Sequence, residues 1–100
     1  MKQQQPTTLR TAQGSFEELH NLHPEHAVWA VMGVDGDTKR IWDPTNPEEV
    51  EVAREQFRTL TVDHRYRAFK VDRRGERGDM VTNFDPEEKS YIFVPAMAGG

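Results

Sequence analysis

The residues with the clearest chemical use are the last two, Gly99 and Gly100, which follow the small or flexible side chains of Ala96, Met97 and Ala98. Glycine has no Cβ, so such a terminus can enter a narrow cleft that side chains would block. An ATP-dependent activating enzyme needs this property, because the carboxylate must reach the α-phosphate through a channel. The carboxylate of Gly100 is therefore a candidate functional group. The two glycines alone favour the alternative, an ordinary terminus that happens to hold them.

The segment before the glycines is expected to aim and present them. Residues 90–95 have the composition of a strand, and Pro95 fixes φ and ends strand pairing, so it sets the angle at which the chain leaves. The residues expected to contact a partner are Phe93, Pro95, Ala96, Met97 and Ala98.

Three histidines near the N-terminus form a second candidate group. His20, His23 and His26 follow one another at intervals of three, and the first two could share a helical face as metal ligands. Pro24 breaks the register before His26, and the spacing supplies no carboxylate or thiol as a further ligand. We therefore expect solvated histidines near a helix end, with no metal and no cofactor.

Other reactive groups are scarce. The chain has no cysteine, which excludes disulfides, zinc knuckles and catalytic thiols. Segment 72–79 alternates arginines with acidic residues, which indicates a solvated loop. No nucleophile is placed beside a base, so we expect no enzymatic activity of the chain alone.

Length and charge narrow the class of protein. One hundred residues form one small domain, and with a mean hydropathy of -0.84 the apolar residues must be concentrated on a few faces. The formal charge is -4, from 17 acidic and 13 basic residues, which argues against nucleic-acid binding. No apolar run has the roughly 20 residues of a membrane span, nor does the start resemble a signal peptide. A cytoplasmic location is expected.

Residues 1–26 are predicted to form a mobile arm and a short helix. The first 14 residues carry little apolar surface, apart from an extended piece around Leu9. Ser15 with Glu18 three positions later predicts a capping box at a helix start. The apolar positions expected on the buried face of this helix are Phe16, Leu19 and Leu22.

A β-hairpin and a helix are predicted next. Residues 27–34 are an unbroken apolar run, Asp35-Gly36 is a turn dipeptide, and residues 38–42 would return. We expect Trp29 and Trp42, on its two arms, to pack in the core. Asn46 and Pro47 then begin an amphipathic helix, whose apolar positions are Val50, Ala53, Phe57 and Leu60.

Three further strands are predicted, over residues 66–71, 79–84 and 90–95. The order from residue 27 onward is therefore strand, strand, helix, strand, strand, strand. This order predicts an α+β domain whose mixed sheet is crossed by one main helix.

The C-terminal segment 93–100 resembles the ending of the sulfur-carrier proteins of the ubiquitin-like group, above all the small subunit of molybdopterin synthase. Those chains close on an aromatic or aliphatic strand, a proline, a short apolar step and Gly-Gly. The family has a β-grasp fold, built from a hairpin, a helix and further strands. The resemblance implies a β-grasp domain over residues 27–100, preceded by the arm and short helix of residues 1–26.

The resemblance also implies a function and a partner. In the family the terminal glycine, here Gly100, is adenylated by a partner enzyme that holds ATP and magnesium, and it then carries sulfur as a thiocarboxylate or is joined to a lysine. Tail-assembly proteins of some phages resemble the same fold and carry similar glycine-ended segments. A structural or assembly protein whose tail packs into a neighbour, and a free-standing binding module, therefore stay as alternatives.

Overall fold

Six strands and two helices make up the part of the chain that the structure, a computed structural model, describes: residues 9–33, 36–72 and 74–96. In chain order these elements are β1 (Arg10–Ala12), α1 (Phe16–Leu22), β2 (Ala27–Gly33), β3 (Gly36–Trp42), α2 (Pro47–Arg58), a π-helical turn (Thr59–Asp63), β4 (Tyr66–Val71), β5 (Arg77–Val81) and β6 (Ser90–Pro95). Neither helix is long and apolar enough to span a bilayer, within these residues.

The strands form one mixed sheet in the order β1-β3-β2-β6-β4-β5. β2 and β6 are parallel, and all other neighbours are antiparallel. The last strand therefore lies inside the sheet, between the first strand of the hairpin and β4. The predicted α+β class and the predicted order of elements from residue 27 are confirmed.

The predicted hairpin is formed by β2 and β3. Its ladder runs from Ala27 opposite Trp42 to Gly33 opposite Gly36. Gly36 has a φ of +109°, which a residue with a side chain rarely adopts, so glycine suits the start of β3. The predicted turn dipeptide also includes Asp35, which lies outside the described residues.

Helix α2 begins as the sequence predicts and ends differently. The Asn46 side chain accepts a hydrogen bond from the Glu48 amide at 3.0 Å, and Pro47 opens the helix. The regular helix ends at Arg58, and the chain continues as the π-helical turn, in which the Thr61 hydroxyl donates to the Phe57 carbonyl at 2.8 Å. This turn connects α2 to β4.

The main core lies between α2 and one face of the sheet, and it is rich in aromatic rings. Trp29 packs against Trp42 with ring centroids 5.9 Å apart, and against Phe93 at 4.9 Å. The predicted core packing of Trp29 and Trp42 is confirmed, since neither has exposed surface. Rings packed edge-on or tilted gain energy beyond the area they bury.

Helix α1 covers part of the opposite face. The predicted capping box is present: the Ser15 hydroxyl accepts from the Glu18 amide at 3.1 Å, and the Glu18 carboxylate accepts from the Ser15 amide at 2.9 Å. The predicted buried face is wrong at one position, because Leu22 is 71% exposed while His20 is buried. His20 lies one turn beyond Phe16, so it faces the sheet with Phe16 and Leu19.

Part of the stretch expected to be a mobile arm belongs to the sheet. β1 pairs with β3 from Arg10 opposite Ile41 to Ala12 opposite Lys39. Leu9 is buried in the main core, which is the apolar contact that holds this short edge strand. Residues 1–8 lie outside the described residues.

Strand β5 covers residues 77–81 rather than the predicted 79–84. Phe84 follows the strand and packs on the aromatic core, with its ring centroid 5.8 Å from those of Trp42 and Phe57. The strand ends earlier than predicted because the Phe84 ring packs into the core, and the chain leading to it no longer pairs with β4.

Candidate functional site

The predicted functional segment begins at the end of β6. Phe93, Pro95 and Ala96 belong to the described residues, whereas Met97, Ala98, Gly99 and Gly100 lie outside them. The geometry of the site is therefore that of the strand end from which this segment continues.

β6 leaves its two neighbours one after the other. The parallel ladder to β2 ends at Phe93, which lies opposite Val31, while the antiparallel ladder to β4 continues to Pro95 opposite Tyr66. Proline has no amide hydrogen and cannot donate to a ladder. Pro95 therefore ends the strand, and both Pro95 and Ala96 are exposed.

Two aromatic side chains hold β6 in the core. Tyr91 and Phe93 are both 0% exposed, and the Phe93 ring lies 5.6 Å from that of Phe57 on α2. The Tyr91 hydroxyl accepts a hydrogen bond from the Asp85 amide at 3.2 Å, and burial raises the pKa of Tyr91. Phe93, predicted to contact a partner, thus presents no surface and acts here as an anchor for the residues that follow.

An unusual backbone segment borders the strand end. The π-helical turn leads to Arg65, the only non-glycine residue with positive φ in the described residues, at 60°. Residue 66 then begins β4 opposite Pro95, and the His64 ring packs edge-on against Tyr66 with centroids 6.3 Å apart. Val62 on the same turn is 60% exposed. Such π-helical turns and left-handed residues are frequent at functional sites.

Positive charge gathers at the same place. Arg65 and Arg67 are exposed, and neither forms an ion pair within the described residues. Arg40 on β3 donates to the Gln56 side chain at 2.6 Å; burial lowers the pKa of Arg40, and interaction with Tyr66 opposes this shift. A partner surface that carries carboxylates would complement these groups.

The opposite end of β6 holds a pair that the sequence did not indicate. His20 Nε2 and Ser90 Oγ are 2.7 Å apart, and the two residues are only 7% and 5% exposed. The prediction of solvated histidines is therefore wrong for His20. These residues are 70 positions apart, so the signal available was that His20 shares the apolar face of its helix.

The other two N-terminal histidines do not form a metal site with His20. The rings of His23 and His26 contact each other edge-on, with centroids 5.4 Å apart. Within the described residues, no three histidine, cysteine or acidic side chains converge in a way that could hold a metal ion.

Comparisons of the chain with protein-family models, curated proteins and solved structures gave no match.

Proposed function

We propose that this protein is a ubiquitin-like modifier or sulfur carrier that acts through the carboxylate of Gly100. We also propose that its sheet is of the β-grasp type. The order of hairpin, helix and further strands supports this fold, as does the parallel pairing of the last strand with the first hairpin strand inside the sheet. If the sheet is of the β-grasp type, β1 and α1 are additions that precede the β-grasp domain.

The observation that carries the proposal is the way in which β6 ends. The strand is held by the buried rings of Tyr91 and Phe93. Its ladder to β2 ends at Phe93, and its ladder to β4 ends at Pro95. The following residues continue from a position that the core defines. A reactive terminus benefits from such a base, because its orientation costs less entropy when a partner binds it.

The proposed chemistry takes place in a partner enzyme. The Gly100 carboxylate attacks the α-phosphate of ATP, pyrophosphate leaves with magnesium, and an acyl-adenylate forms. A sulfur donor or a lysine amine then displaces AMP. Gly99 and Ala98 provide clearance in the partner's channel, Ala96 and Met97 contact its walls, and Pro95 sets the exit angle.

The basic strand end supports the same proposal. Arg65 and Arg67 stand beside the origin of the tail without ion pairs among the described residues, so they are available to carboxylates of a partner. Complementary charge of this kind speeds encounter and fixes orientation more than it adds affinity.

Intact mass spectrometry after co-expression with a candidate adenylating enzyme tests the proposal. We expect an adenylate, a replacement of oxygen by sulfur, or a lysine conjugate, each lost when Gly99 and Gly100 are deleted. The matched control is Leu22→Ala, which shortens an exposed side chain of α1, on the sheet face opposite α2. This substitution should leave the product unchanged.

Two results together would contradict the proposal. One is an unchanged mass with every adenylating enzyme tried, and the other is a chain that keeps its biological activity after Gly99 and Gly100 are deleted. These results would favour the alternative of a phage or bacterial assembly protein whose tail packs into a neighbour. For that role, deletion of residues 96–100 should abolish assembly, whereas Gly100→Ala should preserve it.

A further inference from the structure

The pair formed by Ser90 and His20 has the geometry of an activated nucleophile. A distance of 2.7 Å between Ser90 Oγ and His20 Nε2 lies within the range over which a hydroxyl passes its proton to an imidazole. Both side chains are removed from bulk water, which strengthens the interaction between them. The sequence analysis did not pair these two residues, which lie 70 positions apart.

Both members of the pair are held by regular structure. The Ser15 capping box fixes the start of α1, and the His20 ring stacks on Phe16 one turn earlier, with centroids 6.4 Å apart. Ser90 begins β6 opposite Val28, whose amide donates to the Lys89 carbonyl at 2.8 Å. The nucleophile and the base thus stand on rigid elements, which suits a reactive site better than loops do.

A cavity of about 460 Å³ gives access to the pair. It is lined by His20 and Ser90 and by five other residues: Pro24, Val71, Asp72, Glu88 and Lys89. The cavity is of the size that accepts a small molecule, and its walls combine apolar and charged groups.

Charged groups line the cavity beside the pair. Asp72 accepts from the Arg74 and Glu76 amides at 2.9 Å, and the Glu88 carboxylate lies 3.7 Å from the Lys70 ammonium. The Lys89 ammonium donates to the Pro24 carbonyl at 3.4 Å. Carboxylates outnumber ammonium groups in this lining, so an uncharged substrate is favoured over an anion.

We propose that Ser90 is the nucleophile and His20 the general base of an acyl-transfer site that takes small, uncharged carboxylic esters. Ser90 Oγ attacks the ester carbonyl while its proton passes to His20 Nε2. The tetrahedral intermediate expels the alkoxide, which takes the proton from His20 and leaves as an alcohol. Water then attacks the acyl-serine with the help of His20, which releases the carboxylic acid and restores Ser90.

This site is independent of the proposed function at Gly100. Ser90 begins β6, whereas the proposed tail follows the end of that strand in the sequence, and neither reaction needs the other. The tail deletion should leave acylation of Ser90 intact, which separates failure of one proposal from failure of the other.

The first test uses p-nitrophenyl acetate as the probe and the full chain. We expect one acetyl group on Ser90, located by peptide mapping, and about 100-fold slower acetylation in His20→Gln. Ser90→Ala should lose the modification at this position. His64→Gln, which changes an exposed histidine at the other end of the sheet, serves as the matched control and should acetylate Ser90 at the wild-type rate.

The second test keeps a nucleophile in place in case the first variants fold poorly. Because the chain has no cysteine, Ser90→Cys introduces a single thiol, and Thr82→Cys provides an exposed reference. An ordinary thiol ionises near pH 8.5, whereas one beside an imidazole ionises lower. We expect iodoacetamide to alkylate Ser90→Cys below about pH 7, and the additional change His20→Gln to remove this reaction.

Two results would overturn the proposal. One is a folded wild-type protein that is acetylated only on lysines. The other is a Ser90→Cys thiol that reacts more slowly than Thr82→Cys at every pH and is indifferent to His20→Gln. Either outcome would leave the hydrogen bond between His20 and Ser90 with a purely structural role.

Discussion

The two ends of β6 differ in almost every physical respect. At its start, Ser90 is buried, is hydrogen-bonded to His20 and lies opposite a residue of the central strand β2. At its end, Pro95 is exposed and is paired on one side only, with Tyr66. Buried residues therefore extend from Ser90 to Phe93, and the strand becomes exposed only at Pro95, after the ladder to β2 has ended.

This difference matches the two roles proposed for the strand. A hydroxyl and an imidazole are held within reach of each other at the fixed start, which needs rigid supports. At the other end the ladder stops at Pro95, as the proposed tail requires. The aromatic rings of Tyr91 and Phe93, between the two ends, separate these environments.

Loss of the central anchor should have the largest effect. Phe93→Ala removes a ring with no exposed surface from the contact with Trp29 and Phe57, and we expect it to lower the free energy of unfolding by about 3–5 kcal/mol. Urea denaturation measures this change. Ala96→Gly, just beyond the strand, should stay within about 0.5 kcal/mol. Equal effects of the two substitutions would show that the segment after Pro95 is packed as firmly as the buried centre of β6.

Breaking the fixed start should cost less. Ser90→Ala removes the hydroxyl partner of a buried imidazole, and we expect a loss of about 1–3 kcal/mol in the free energy of unfolding. A double-mutant cycle with His20→Phe should give a coupling of at least about 0.5 kcal/mol. Thr82→Ala, on an exposed bend, is the control. A coupling near zero would mean that the hydrogen bond adds nothing to stability.

Weakening the support of His20 should have a smaller effect. Ser15→Ala removes the hydroxyl that accepts from the Glu18 amide, and we expect a loss of about 1 kcal/mol. Amide hydrogen exchange should speed up within α1 and leave α2 unchanged. Ser15→Thr retains a capping hydroxyl and should lose less. Unchanged exchange in α1 would show that packing on the sheet alone holds the helix.

The sequence predicted the elements better than their contacts. Local signals located the capping box at Ser15, the Asn46 cap and the strands that end at Val71 and Pro95, because each depends on residues close in the chain. The sequence predicts Phe84 within a strand, although the position of its ring is decided by aromatic partners that are distant in the chain. Core contacts of this kind leave no periodic trace in the sequence.

The candidate sites show the same limit. The tail stands out in the sequence because its composition is unusual over eight consecutive residues, 93–100. The pair of His20 and Ser90 joins residues 70 positions apart, and only the fold of the sheet brings them together. Similarly, the extended piece expected around Leu9 is β1, but its pairing with β3 joins residues that are distant in the chain, which no local pattern indicates.

Alkaline pH should produce the smallest change in the free energy of unfolding, through the buried Tyr91 of β6. Burial raises the pKa of Tyr91 above its ordinary value of 10.0. A group whose pKa is raised by folding contributes stability below the unfolded pKa and loses it as pH rises through the folded pKa. We therefore expect the free energy of unfolding to fall above about pH 10, and to fall less steeply in Tyr91→Phe.

Urea denaturation of the wild-type protein and of Tyr91→Phe, from pH 8 to pH 11, measures how steeply the free energy of unfolding of each falls with pH. Titration of the lysines and of the other tyrosine cancels in the difference between the two proteins. The reference is their difference at pH 8, where the hydroxyl is neutral in both the folded and the unfolded chain. Parallel curves would mean that water reaches the Tyr91 hydroxyl although the ring is buried. Diverging curves would show that the buried environment that holds Ser90 and Phe93 extends to this hydroxyl.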